Sequence, residues 1–78
     1  MKITGQQLRM ARIALKWRVD DLSKKSDVNW AKIQQLERSD DFLPENDRLQ
    51  KIIDLFLNNN IIFLEETNEH KPGILIKK

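Results

Sequence analysis

The reactive side chains of this chain are few. Cysteine is absent and His70 is the one histidine, which removes thiolate nucleophiles, disulfides and His-rich metal sites together. His70 falls in a polar loop, where a solvated ring is expected. Asp20 and Asp21 are adjacent, but carboxylates at a helix start serve its positive dipole end better than they form an acid–base pair. No Ser-His-Asp set, glycine-rich phosphate loop or metal-ligand spacing occurs, so no enzyme and no cofactor are expected. What remains is a short segment, Trp30 to Arg38, carrying Ala31, Lys32, Gln34, Gln35 and Arg38. On a helix, positions 31, 35 and 38 form one stripe. These amides and cations do not react; they recognise.

Charge points to the class of thing recognised. Net charge is only +2, but residues 1–39 carry +5 and residues 40–78 carry −3. A basic front half suits a polyanion, and an acidic back half suits another task. At 78 residues the chain is one domain, stable by a small margin alone, so a second subunit is a natural source of support. Its longest apolar run, Ile61-Ile62-Phe63-Leu64, is far short of the roughly 20 residues of a membrane span. With no basic, apolar leader at the start, the expected compartment is the cytoplasm.

The elements that position the segment are legible in outline. Thr4 and Gln7 fit a capping box ahead of a first helix over about residues 5–16, with Leu8, Ala11 and Leu15 on one face. Trp17 follows as a core plug. A short second helix opens with Asp20 and Asp21, turns Leu22 inward and ends at Ser26-Asp27, Asp being tolerant of the left-handed region. Asn29 caps a third helix, Trp30 to Arg38, with Ile33 and Leu36 inward. After a loop at 39–46, Asn46 caps a fourth helix over about 47–58, whose stripe is Leu49, Ile52, Ile53 and Phe56. Asn58-Asn59-Asn60 stops it, one Asn standing in for the usual left-handed Gly. Ile61–Leu64 and Ile74–Ile76, separated by Thr67 to Gly73 with its Pro72 and Gly73, read as a two-stranded hairpin with a long loop. The expected fold is mainly α: a helical bundle over 1–58 and a C-terminal two-stranded β-hairpin over 59–78 of the same domain.

Two short helices joined by a tight turn suggest a helix-turn-helix over about residues 19–38, with Leu22, Val28, Ile33 and Leu36 as its inward set. Here a family resemblance enters. LRMARIALKWRVDDLSKKSDVNWAKIQQLE, Leu8 to Glu37, resembles the XRE/Cro-type helix-turn-helix proteins, the class of the phage repressors. Asn60-Ile61-Ile62-Phe63 and Gly73-Ile74-Leu75-Ile76 extend it over about residues 3–77. The resemblance implies a four- to five-helix repressor-like domain and an ion pair between Arg12 and Glu37. It implies base contacts from Trp30, Ala31, Lys32 and Gln35, and phosphate contacts from Arg18, Asn29 and Arg38. Gln pairs with adenine, Lys reaches guanine, and an Ala methyl touches a thymine methyl.

The chain departs from the family pattern at three places. Arg18-Val19 stands where Ser-Gln is usual. Ser26-Asp27 replaces a small residue and Gly in the turn. Trp30 puts a bulky aromatic at a base-reading position, where it serves DNA or anchors a protein partner. The implied function is a DNA-binding regulator, usually a repressor; the alternatives are a protein-interaction module or an antitoxin subunit. One such module reads few base pairs, each discriminating by about 1–3 kcal/mol, so a homodimer on duplex DNA is expected. Ile62, Leu64 and Leu75 of the hairpin are its candidate contact.

Overall fold

The computed structural model describes residues 2–78. Among them are four helices and one hairpin: α1 Gly5–Ala14, α2 Val19–Ser26, α3 Trp30–Glu37, α4 Asp47–Asn58, β1 Ile61–Leu64 and β2 Gly73–Ile76. None of these helices is long and apolar enough to cross a membrane.

Each helix starts on a polar cap. Thr4 Oγ1 accepts the Gln7 backbone N–H at 3.2 Å, and Gln7 Oε1 accepts the Thr4 N–H at 2.9 Å, closing the box that the sequence predicts. Asn29 Oδ1 accepts from Ala31 N at 2.8 Å and Asn46 Oδ1 from Leu49 N at 2.9 Å. At the start of α2 the Asp21 carboxylate reaches back to the Arg18 N–H at 2.8 Å.

Three helices end on a non-glycine residue in the left-handed region: Lys16 at φ 60°, Asp27 at φ 60° and Asn60 at φ 68°. Asp27 and Asn60 match expectation. Lys16 does not, and it shortens the first helix, which stops at Ala14 rather than residue 16. The reversal is set by two hydrogen bonds, Lys16 N to Ile13 O at 2.9 Å and Trp17 N to Arg12 O at 3.0 Å. It turns Trp17 back onto Phe56, ring centroids 5.7 Å apart. Leu15, expected inward, is only partly buried against the core.

The core joins all elements. Leu8, Ala11, Leu22, Ile33, Ile52 and Phe56 are fully buried, and Val28, Leu36, Leu49 and Ile53 lie with them. Ile3 and Leu43 complete it from segments with no periodicity; they are joined by the Leu43 N–H to Ile3 O at 2.8 Å, beside an isolated bridge between Thr4 and Phe42. The strands pair antiparallel, Ile61 with Ile76, Ile62 with Leu75, Phe63 with Ile74 and Leu64 with Gly73. Ile61 and Phe63 face the core, Phe63 meeting Phe56 edge-on at 6.1 Å.

One buried polar side chain ties the hairpin to the helices. Gln7 is 1% exposed, and its Nε2 donates to Leu64 O at 2.9 Å and Gly73 O at 3.0 Å. Both strands are thereby held at the end where the connecting loop leaves and returns, and no amide atom of Gln7 is left without a partner.

The tightest backbone approach fixes α1 on α3. A Cβ on Gly5 would lie 2.0 Å from Leu36 O and 2.6 Å from Ser39 O, both backbone atoms. Gly73 has open space, its nearest atom at 4.0 Å. Gly5→Ala is therefore expected to cost more than about 3 kcal/mol in urea denaturation, within the range of severe backbone and overpacking lesions. Gly73→Ala, by contrast, should shift stability by less than about 0.5 kcal/mol, as for an ordinary surface change.

Candidate nucleic-acid interface

The candidate surface is one side of α3, and its presentation begins with what holds the other side. Ile33 and Leu36 are buried. The turn before α3 is fixed by serine hydroxyls: Ser23 Oγ donates to Val28 O at 2.6 Å, and Ser26 Oγ donates to Leu22 O at 2.7 Å while accepting from Val28 N at 3.3 Å. Val28 is thereby pinned in the core at 4% exposure.

Arg12 and Glu37 close the far end. Arg12 Nε donates to Glu37 Oε2 at 2.8 Å and Nη2 to Glu37 Oε1 at 2.9 Å, a two-pronged pair. Arg12 Nη1 also donates to Trp17 O at 3.0 Å, so the same guanidinium holds the chain reversal after α1. The side chains keep 14% and 7% exposure. The hydrogen bonds to Glu37 hold the Arg12 pKa above its ordinary value, against the opposing effect of burial. It is the one ion pair among the described residues apart from any that Glu45 makes.

Outward from this frame, Trp30, Ala31, Gln35 and Arg38 are exposed, Trp30 at 51%. Asn29 and Arg18 are also exposed, at the starts of α3 and α2. Lys32 is half-buried, and its Nζ donates to Gln35 Oε1 at 3.4 Å. That contact leaves the Gln35 amide N–H groups outward. Capping likewise commits the oxygen of Asn29 and leaves its amide N–H groups as donors. Donors and cations therefore dominate what α3 offers, which fits acceptors such as guanine N7/O6 and phosphate oxygens.

The hairpin residues divide. Ile62 and Leu64 are half-buried, whereas Leu75, directly opposite Ile62, is 53% exposed. Ile76 is 56% exposed and was not among the expected contact residues.

Two features of the surface have weak sequence signals. Val19 and Gln34, absent from the expected site, line a cleft of about 470 Å³ with Trp17, Arg18 and Trp30 where α2 and α3 begin. Arg48 and Lys51 of α4 share a second cleft with Asn29 and Lys32, along with Asp27 and Asp47. The i, i+3 spacing of Arg48 and Lys51, off the apolar stripe of α4, is the signal that marks them as a pair.

No protein-family model matches the chain, and no curated protein matches it. Removing one partner of the pair that anchors α3 leaves a charge nearly enclosed. Glu37→Gln is expected to lower unfolding free energy by about 3 kcal/mol in urea titration. The double variant Arg12→Met/Glu37→Leu should be more stable than either single substitution, because both desolvated charges are then gone.

Proposed function

We propose that this chain is a sequence-specific DNA-binding regulator, acting in the cytoplasm as a repressor and without catalysis. It would work as a homodimer on a palindromic operator. On this reading α2 and α3 form a helix-turn-helix of the XRE/Cro type, with α3 in the major groove. The observation that carries it is the division of α3. Its apolar side is locked to the core at both ends, while Ala31, Gln35 and Arg38 stand exposed on one stripe. A rigid helix bearing unburied amides and cations meets the physical need of base readout, which is a fixed register of donors against base edges. Exposed Arg9, Arg18, Lys24 and Lys25 add positive charge to the same half of the chain.

In this scheme Trp30, Ala31, Lys32 and Gln35 meet bases, and Arg18, Asn29 and Arg38 meet phosphates. Two α3 helices would occupy successive major grooves about 34–36 Å apart. The apolar outer side of the hairpin, Ile62 and Leu75 with Leu64 beside them, is the proposed subunit contact. A second reading, capture of a protein partner or toxin at Trp30, draws on the half-exposure of that side chain.

Selection of bound duplexes from random DNA tests the central reading, with a palindromic winner expected. Against that winner, Gln35→Ala should flatten the preference at one position. Arg38→Ala should weaken all duplexes alike and reduce the salt slope by about one unit. Affinities unaltered by either change would remove both assignments, and binding with no salt dependence would favour the protein-partner reading. In sedimentation at micromolar concentration, the wild type is expected at the mass of two subunits and Leu75→Glu at one. A single-subunit wild type would end the dimer.

A further inference from the structure

Strand β2 leaves apolar side chains open on both of its faces. Leu75 stands opposite Ile62 on the outer side of the sheet and is 53% exposed. Ile76 stands opposite Ile61, which is 1% exposed, so it belongs to the core side, yet it is itself 56% exposed. These two residues share no face; they share an edge. On β1 the core-side residues Ile61 and Phe63 are both buried, so the other edge of the sheet has no such pair. The backbone of the β2 edge is open as well. Lys77 N donates to Asn60 O at 2.7 Å, which sets the phase of the ladder. Bonded and open pairs alternate in an antiparallel sheet, so Ile62–Leu75 and Leu64–Gly73 are bonded, and Ile61–Ile76 and Phe63–Ile74 are open. The N–H and C=O groups of Ile74 and Ile76 therefore point away from β1. They have no hydrogen-bond partner among the described residues.

A partner packed on the outer face would cover Leu75 and leave Ile76 in water. A strand laid along the edge covers both. Resting on the homodimer reading above, we propose that a second copy of this chain adds to the edge of β2, giving a four-stranded antiparallel sheet in the order β1-β2-β2-β1. The strand fits itself in one register. A two-fold axis at Leu75 sets Ile76 against Ile74 of the partner subunit on the core side, and Leu75 against Leu75 of the partner subunit on the outer side. The outward N–H and C=O groups of Ile74 and Ile76 then bond one another across the axis. Lys77 falls opposite Gly73 of the partner subunit, so no two lysines face each other. Axes at Ile74 or Ile76 would instead set Leu75 against Gly73 or Lys77 of the partner subunit, where it buries less apolar surface.

The chain has no cysteine, so a single introduced thiol reports this register. Across the axis the two Leu75 Cα atoms would lie about 4.5 Å apart, within the span of a disulfide. Full-length Leu75→Cys under mild oxidant is expected to run as a covalent dimer on a non-reducing gel. Ile62→Cys should stay single, since three strand spacings put its Cα about 14 Å from that of the partner's Ile62. Ile76→Pro deletes an outward N–H and none inside the hairpin, a position where an edge strand tolerates proline. Shown folded by its thermal melt, it is expected to sediment as one subunit at micromolar concentrations where the wild type sediments as two. Linkage at Leu75→Cys together with a single-subunit Ile76→Pro supports the proposal. A folded Ile76→Pro that remains dimeric overturns edge pairing while the homodimer stands. So does a failure of Leu75→Cys to link, or linkage of Ile62→Cys to the same extent. Should Ile76→Pro not fold, the two thiol variants decide alone. A single-subunit wild type overturns the edge pairing and the homodimer together.

Discussion

The last turn of α3 must sit against the first turns of α1, and the rest of the structure depends on that seat. Two contacts of different kinds enforce it. Gly5 lets backbone approach backbone, where no side chain fits between it and the carbonyls of Leu36 and Ser39. The Arg12–Glu37 pair then fixes rotation, because a guanidinium held by two parallel hydrogen bonds has one orientation. The close approach also has favourable electrostatics. It brings the positive, N-terminal end of α1 to the negative, C-terminal carbonyls of α3. Packing of Ile33 and Leu36 alone would allow α3 to slide; these two contacts do not.

The proposed recognition surface would gain from rigidity more than from strength. Arg12 illustrates the balance. Its net contribution to stability is modest, since desolvation opposes the Coulomb attraction, but it joins three segments through one planar group. Trp17 O, Glu37 and α1 itself are all referenced to it. The exposed residues of α3 inherit a fixed position from this buried frame, although none of them contributes to it.

Much of this was readable in the residues, and the exceptions have physical causes. Helix starts were legible because Thr4, Asn29 and Asn46 cap through their own side chains, a local interaction. The ends at Asp27 and Asn60 were legible because short polar residues tolerate positive φ. Lys16 was not, since lysine has no such preference and the apolar period runs on to Leu15; the reversal is imposed by where Trp17 must pack. Ile3 and Leu43 gave no sign of burial because their pairing spans forty residues and has no repeat. Gln7 looked complete as a capping residue, and its second role, across the fold to Leu64 and Gly73, is invisible locally. At the candidate site, the stripe of Ala31, Gln35 and Arg38 followed from helical spacing. The cleft of Val19 and Gln34 did not, because it exists only where two helix starts converge.

An isolated two-stranded hairpin is marginal in water. Here its loop end is held by an amide that belongs to the same helical turn as Gly5. Loss of the hairpin would strand that amide in the interior and loosen the turn on which α3 is seated. The sheet is therefore no detachable tail: bundle and hairpin melt together, as one cooperative unit, and partial unfolding has no low-energy place to begin between them.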